Sequence, residues 1–233
     1  MGKMARAEME YVPSFVEGLR PLSPGAVAAF DADGTLWAGD IFDDFGAFVV
    51  AEGRLDAAAL QAHEALCKED ELAAMYKMMT FFAGMNEVEF SALVKKFLKD
   101  YKVRWHQDVL ASLYYLATHG FDVVILSASA RLLLEPVFAQ MPIREIIGME
   151  FVADDTGIFT EKSPQPSPAG EGKAQIIQEK YGALLEFAVG NSRLDAAFMR
   201  LARQMAWAYG PDQALNALAL ASSWQITPLF KAK

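Results

Sequence analysis

Short apolar runs that end in polar or small residues recur along the chain. Four of them predict strands buried on both faces of a parallel sheet, at 26–30, 121–126, 186–190 and 204–208. Segments with helical periodicity lie between or after these runs, at 131–140, 172–181, 194–203 and 212–222. Strands that alternate with helices predict a doubly wound parallel α/β fold, in which functional residues lie at the carboxyl ends of the strands.

The interval between the first two predicted strands is far longer than the dozen or so residues that a crossover requires. Its apolar residues recur at steps of three and four, which predicts about four helices. We therefore expect a helical domain at 41–104, inserted into an α/β domain made of 1–40 and 105–233. The methionines of the insertion suit either a hydrophobic core or a ligand pocket. A smaller insertion is predicted as a hairpin at 150–160, followed by a loop at 163–172.

Composition and charge disfavour several classes of protein. Of the 233 residues 53% are hydrophobic, but the longest uncharged run, 213–230, is interrupted by polar residues and proline, so no membrane span is expected. The net charge of −9 disfavours nucleic acid as a partner. The single cysteine and the absence of an N-terminal secretory pattern favour the cytoplasm. Cys67 is expected to behave as a small buried apolar residue. The three histidines lack partners at metal-ligand spacing, so we expect them to lie at surfaces or interfaces: His63, His106 and His119.

Two carboxylates come directly after the first predicted strand, in the sequence D-A-D-G-T. Asp31 and Asp33 can both face one point above the strand, where like charges require a cation or a shared proton. Mg²⁺ suits such a site because it takes oxygen ligands and leaves room for a substrate phosphate. Gly34 allows backbone N–H groups to approach an anion closely. Alternatively, the two aspartates merely end the strand and cap the next segment of the chain.

Three further polar groups are predicted at the same edge of the sheet. Ser127 ends the second strand, Lys173 stands at the start of a helix, and the sequence G-N-S-R-L-D at 190–195 follows a later strand. Taken singly, each group has an ordinary structural explanation: a turn, an exposed lysine, a capped helix. Their order and their placement at strand ends point together to a phosphate site.

The motifs D-x-D-G-T, S, K and G-N-S-x-x-D, in this order, resemble those of the haloacid dehalogenase-like (HAD) hydrolase superfamily, in particular its phosphoserine-phosphatase-like branch, which carries a helical cap. The resemblance spans about 26–199. It implies a Rossmann-like core with the cap at 41–104, and a Mg²⁺-dependent hydrolase of small phosphomonoesters.

The resemblance also implies a role for each matched residue. Asp31 would be the nucleophile that forms an aspartyl-phosphate, and Asp33 the general acid and base. Phosphoryl oxygens and substrate would be bound by Ser127, Lys173, Gly34, Thr35, Ala128 and Asp40. Mg²⁺ would be held by the Asp31 carboxylate, the Asp33 main-chain carbonyl and Asn191, with Asp195 in the outer shell or paired with Lys173.

Asn191 occupies a position where the superfamily usually has a metal-binding aspartate. Its amide oxygen can still bind Mg²⁺, but the site loses one negative charge, so weaker metal binding is expected. Two alternatives remain open: a phosphotransferase or mutase of the same superfamily, and a phospho-ligand-binding protein that has lost efficient catalysis through Asn191.

The substrate is the least determined feature. Asp40 lies about where phosphoserine phosphatases have an acid that binds the substrate amine. No arginine occurs between Arg54 and Arg104 to bind a substrate carboxylate, and Gly34 replaces the usual serine, so phosphoserine is disfavoured. An amine-bearing phosphomonoester of the phosphocholine or phosphoethanolamine type is the hypothesis, with aromatic residues beside Asp40 attracting the ammonium group. The alternative is that these aromatics pack the cap against the core: Trp37, Phe42 and Phe45.

Overall fold

A computed structural model describes residues 11–162 and 164–229. It contains a sheet of six parallel strands in the order β3-β2-β1-β4-β5-β6. The strands are β1 Val27–Phe30, β2 Asp122–Ala130, β3 Glu145–Met149, β4 Leu185–Gly190, β5 Met205–Tyr209 and β6 Gln225–Thr227. The strand order reverses between β1 and β4, and in such sheets ligands bind at the carboxyl ends on either side of this point. The predicted doubly wound α/β fold is confirmed.

The helices cover both faces of the sheet or lie in the long insertion. They are α1 Ser14–Glu17, α2 Ile41–Ala51, α3 Ala57–Glu69, α4 Glu71–Thr80, α5 Glu87–Asp100, α6 Gln107–Thr118, α7 Arg131–Phe138, α8 Glu171–Lys180, α9 Ala196–Met199 and α10 Gln213–Ala221. Among the residues described, none of these helices is long and apolar enough to cross a membrane.

Strand β1 shows why these runs form a central sheet. Its four residues are all buried, and successive side chains enter different clusters: Ala28 and Phe30 pack on one face, Val27 and Ala29 on the other. A side-chain period of two with apolar residues at every position requires cover on both faces. The carboxyl end of β1 is thereby held at the middle of the sheet.

The insertion between β1 and α6 contains four helices, α2 to α5. Each begins at a residue whose side chain accepts a hydrogen bond from the backbone of the first turn, namely Asp40, Asp56, Asp70 and Asn86. Phenylalanines fill the space between the helices, with the ring of Phe45 packed against Phe82, Phe90 and Phe97. The number of helices agrees with the prediction, whereas the boundaries of the two domains, 41–104 against the rest, stay a prediction.

Several elements differ from the sequence predictions, among them β2, β6 and the helix after β4. Strand β2 continues to Ala130, four residues further than expected, and pairs there with Met149 of β3. The helix expected at 194–203 is a 3₁₀ turn, Arg193–Asp195, followed by the single turn of α9, because the Asp195 side chain folds back onto the backbone N–H of Asn191. Strand β6 was not predicted, since three residues carry too little periodicity.

The predicted hairpin at 150–160 forms a short turn that contacts the insertion. Ala153 and Phe159 make an antiparallel bridge, and the Asp154 side chain accepts bonds within the turn. The Phe159 backbone exchanges hydrogen bonds with Gly84 and Met85. This turn therefore joins the segment that follows β3 to the helical insertion.

Candidate active site

Asp31 is the first residue after β1, and its backbone N–H donates to Val189 of β4. The chain then turns through a compact loop in which Gly34 N–H donates to the Gly39 carbonyl and Thr35 N–H to the Ala32 carbonyl. The loop places the motif at the point where the strand order reverses.

Lys173 joins two buried carboxylates. Its Nζ lies 2.7 Å from Asp31 Oδ1 and 2.6 Å from Asp195 Oδ1, and the three residues are 3, 5 and 2% exposed. Burial alone would lower the pKa of Lys173, but the charges of Asp195 and Asp31 raise it above its ordinary value. Burial, together with the Asp195 charge, raises the pKa of Asp31 to about 7, even though Lys173 opposes the rise. The predicted pairing of Asp195 with Lys173 is present in the structure.

Thr35 and Asn191 complete the surroundings of Asp31. The Thr35 hydroxyl donates to Asp31 Oδ2 at 2.8 Å and lies 3.3 Å from Asn191 Oδ1. Thr35 is fully buried beneath the site, so it orients Asp31 instead of facing a ligand. His106, which the sequence placed at a surface or interface, supports the same loop: its Nδ1 lies 2.9 Å from the Thr35 carbonyl oxygen.

Asp33 accepts four hydrogen bonds. Oδ1 accepts from the Trp37 indole at 3.0 Å and from the Ile41 backbone at 2.7 Å. Oδ2 accepts from the hydroxyls of Ser127 at 3.2 Å and Ser129 at 2.8 Å. Burial raises the pKa of Asp33, and these donors limit the rise.

Ser129 and Trp37 were missed as partners of Asp33. Ser127 and Ser129 are two residues apart on β2, so their side chains share one face of the strand, and this spacing was a usable signal. Trp37 was considered only as an aromatic neighbour of Asp40. Its ring is fully buried and its N–H is directed to Asp33.

Two glycines allow the close approach of polar side chains. A Cβ at Gly34, which has φ +73°, would lie 2.0 Å from Asn191 Nδ2. A Cβ at Gly190 would lie 2.5 Å from the Cβ of Asp195, whose Oδ2 accepts from the backbone N–H of Asn191 and Ser192 at 3.0 Å. The sequence G-N-S-x-x-D therefore folds into a turn that fixes both polar side chains.

A cavity of about 490 Å³ opens over these residues, between the strand ends and the helical insertion. Of the predicted site residues, nine line it: Asp31, Asp33, Gly34, Asp40, Ser127, Ala128, Lys173, Asn191 and Asp195. Lys173 is the only lysine or arginine among the described lining residues, whereas six lining residues carry carboxylates. The cavity is therefore strongly acidic.

The donor set suits a hard cation. No group of three or more His, Cys, Asp or Glu side chains in the described part of the chain is arranged to hold a metal. The candidate ligands are instead one carboxylate, Asp31, one side-chain amide, Asn191, and a main-chain carbonyl, that of Asp33. All are oxygen donors, and the Asp31 and Asn191 side chains are already brought together through Thr35. This set fits Mg²⁺, which prefers oxygen ligands and retains several waters.

The helical insertion supplies the opposite wall of the cavity. Asp40 lines it and also starts α2, with Oδ1 accepting from Phe42 and Asp43. Burial, then the charges of Asp33 and Asp43, raises the pKa of Asp40 well above its ordinary value. The carboxylates around Asp40 thus lie close enough to disfavour one another's ionisation.

The structure decides for the alternative that Trp37 and Phe45 are packing residues, and it corrects the expectations for His63 and Cys67. Trp37 and Phe45 are fully buried and do not line the cavity, so only Phe42 of the three aromatics is available to a ligand. His63 is 4% exposed instead of lying on the surface; its Nε2 is 3.1 Å from Asp43 Oδ1. Cys67 is only half-buried and lines the cavity, with Sγ 3.5 Å from the same nitrogen. These placements depend on how α2 and α3 pack, which no local pattern reveals.

The methionines of the insertion serve both of the predicted purposes. Met78, Met79 and Met85 are buried in the hydrophobic core, while Met75 and Met78 line the cavity.

Comparisons with known proteins agree with this architecture. The structure is similar to that of a protein with unknown function from Bordetella pertussis Tohama I, with a TM-score of 0.77 and 19% identity over 88% of this chain and 98% of that one. It is also similar to a HAD family hydrolase from Salmonella enterica subsp. enterica serovar Typhi, with a TM-score of 0.64 and 16% identity over 85% of this chain and 66% of that one. A phosphoserine phosphatase solved as a phospho-aspartyl intermediate analogue has a TM-score of 0.61 and 15% identity over 88% of this chain and 94% of that one. At these identities the similarity shows the fold. No curated protein matches the sequence.

The fold and the aspartate-lysine site define a hydrolytic α/β enzyme. The sequence model of the haloacid dehalogenase-like hydrolases matches residues 28–200, which is most of the chain, and the protein belongs to this family. The resemblance noted from the D-x-D-G-T, S, K and G-N-S-x-x-D motifs is confirmed.

Proposed function

We propose that the protein is a Mg²⁺-dependent phosphomonoester hydrolase that works through an aspartyl-phosphate on Asp31. The observation that carries the proposal is the buried Asp31 carboxylate at the floor of the cavity, held by Lys173 on one oxygen and by Thr35 on the other. Such a carboxylate is fixed for attack, and a preorganised nucleophile avoids the cost of ordering it during the reaction.

In the proposed reaction, residues of this chain act as nucleophile, as general acid and base, and as phosphate-binding groups. Asp31 attacks phosphorus, so that a carboxylate oxygen–phosphorus bond forms while the bond to the leaving oxygen breaks. Asp33 gives its proton to that leaving oxygen and then takes a proton from the water that releases phosphate from Asp31. Lys173 and the Ser127 hydroxyl would bind the phosphoryl oxygens.

Mg²⁺ would be held by the Asp31 carboxylate, the Asp33 carbonyl and Asn191. When bound, it neutralises charge between the substrate phosphate and the carboxylates. Because Asn191 contributes no charge, we expect a higher Mg²⁺ requirement than an aspartate at this position would give.

Phosphate release measured with and without Mg²⁺, for the wild type and for Asp31→Asn, tests this proposal. Metal-dependent turnover that the substitution abolishes is expected. Tight binding of phosphate esters without turnover at saturating Mg²⁺ would favour a binding protein instead.

We further propose that the substrate carries a cationic group on its alcohol, as phosphoethanolamine and phosphocholine do. The support is the charge of the insertion's wall: Asp40 and Asp43 line it, and Glu71, which also lines it, is paired with Arg193. A second anionic group on the substrate, such as the carboxylate of phosphoserine, would meet like charges, because Lys173, the one lysine or arginine of the described lining, is already paired with Asp31 and Asp195.

The ratio of kcat/KM for phosphoethanolamine to that for glycerol phosphate measures this preference. Asp40→Asn and Asp43→Asn should each lower the ratio by about tenfold, since each removes a carboxylate that a bound cationic group would keep ionised. Asp56→Asn is a matched control, because Asp56 starts α3 by the same kind of capping bond but does not line the cavity. An unchanged ratio in both cavity variants would contradict a cationic substrate.

A further inference from the structure

Helix α4 of the insertion contacts two segments of the core that adjoin candidate site residues. The hydroxyls of Tyr76 and Ser167 are hydrogen-bonded at 2.6 Å, joining α4 to the loop before α8. The Glu71 carboxylate lies 3.3 Å from the guanidinium of Arg193, in the turn after β4. Since α4 also lines the cavity, its position affects both the substrate space and these loops.

The loop at Ser167 directly precedes helix α8, which carries Lys173. Ser167 is 2% exposed, and its carbonyl accepts from Ala169. A Cβ at Gly172 would lie 2.0 Å from that same carbonyl oxygen, so the loop packs directly against the residue before Lys173. Gly170, at φ +54°, then starts the helix, and its carbonyl accepts from Lys173 N–H.

The position of this helix start determines where the Lys173 ammonium lies. Lysine has a long flexible side chain, yet Nζ is held within 2.7 Å of both Asp31 and Asp195. A displacement of the backbone at 167–172 would lengthen one or both contacts, and small displacements of charged groups at a reacting centre are costly.

We propose that Tyr76 is a positioning residue for the reaction. Through its hydrogen bond to Ser167, it holds the loop that sets the position of Lys173, so that the helical insertion takes part in aligning Lys173 with Asp31. This inference rests on the proposed phosphatase reaction for its effect on turnover, although the effect on the loop stands without that reaction.

Tyr76→Phe removes the hydroxyl and keeps the ring, and Ser167→Ala removes the same bond from the other side. Each should lower kcat by about three- to tenfold with KM changed less than about twofold, since a single hydrogen bond is lost. The double variant should be no worse than either single one, because both substitutions break the same contact. Amide hydrogen exchange at 164–172 should become faster by a similar factor in each variant.

Tyr101→Phe is the matched control. The Tyr101 hydroxyl donates to Asp44 at 2.8 Å, and both residues belong to the insertion, so this variant loses a tyrosine hydrogen bond without touching the core. It should leave both kcat and exchange at 164–172 unchanged.

Exchange at 164–172 that is equal in Tyr76→Phe and Tyr101→Phe would overturn the proposal, as would additive losses of kcat in the double variant. If the wild type has no phosphatase activity, the proposed function fails. Faster exchange in both Tyr76→Phe and Ser167→Ala would then still support the role of this contact in holding the loop of Lys173.

Discussion

Gly34→Ala is expected to have two effects, backbone strain and displacement of the Asn191 side chain, and a second variant separates them. The residue has φ +73°, and its new Cβ would lie 2.0 Å from Asn191 Nδ2 and 2.9 Å from Asn191 Cγ. Gly53 has nearly the same backbone angle, φ +68°, but no atom lies within 4 Å of its Cβ position. Gly53→Ala therefore imposes the backbone strain alone, whereas Gly34→Ala also displaces the Asn191 side chain.

The expected magnitudes come from these contacts. The left-handed conformation costs an alanine about 1–2 kcal/mol, which in a protein of this size lowers Tm by about 2–8 °C in both variants. In Gly34→Ala the displaced amide also loses its contact with Thr35, a further loss of about 0.5–1.5 kcal/mol. Because Asn191 is the proposed metal ligand, its displacement should raise the Mg²⁺ concentration for half-maximal activity by about tenfold or more.

Thermal unfolding and a Mg²⁺ titration of phosphatase activity, supported by calorimetric Mg²⁺ binding, measure these effects. Gly53→Ala should keep the wild-type Mg²⁺ requirement. If the two variants share the same Tm and the same Mg²⁺ requirement, Asn191 does not depend on the space at Gly34 and the proposed ligand role is refuted.

Two further substitutions test the polar groups around the nucleophile. Lys173→Met leaves two buried carboxylates facing each other, so it should lower the free energy of unfolding by about 3–5 kcal/mol as well as abolish turnover; an unchanged urea midpoint would contradict this. Ser129→Ala removes a 2.8 Å donor to Asp33 and should lower kcat by about tenfold or more. Ser112→Ala, which removes a buried serine bonded to a helix carbonyl, is its control and should leave kcat unchanged.

The sequence was sufficient for the four inner strands of the sheet and for the polar groups at their carboxyl ends. Apolar runs such as 26–30 are buried on both faces, so their composition alone shows that helices must cover them. Residues immediately after strands, such as Asp31 and Asn191, are placed by the topology, since parallel strands end at the same edge. Lys173 also falls at this edge because its helix begins there.

The features that the sequence did not reveal depend on packing between distant segments. Trp37 was considered as a contact for ligand, but its indole N–H is used by Asp33, four residues away in a loop whose shape no period predicts. His63 is the only buried residue of helix α3, and it is buried where α2 brings Asp43 against it. The contact of Tyr76 with Ser167 joins two residues far apart in the chain, for which a single sequence contains no signal.

The most direct test of the proposed mechanism is to trap the aspartyl-phosphate. The wild type would be quenched with acid during turnover of a phosphomonoester with Mg²⁺ and digested, and its peptides weighed by mass spectrometry. We predict one phosphoryl group on the peptide that contains Asp31, absent from Asp31→Asn treated in the same way. Turnover that continues in Asp31→Asn, or a phosphoryl group found on another residue, would contradict the assignment of Asp31 as the nucleophile.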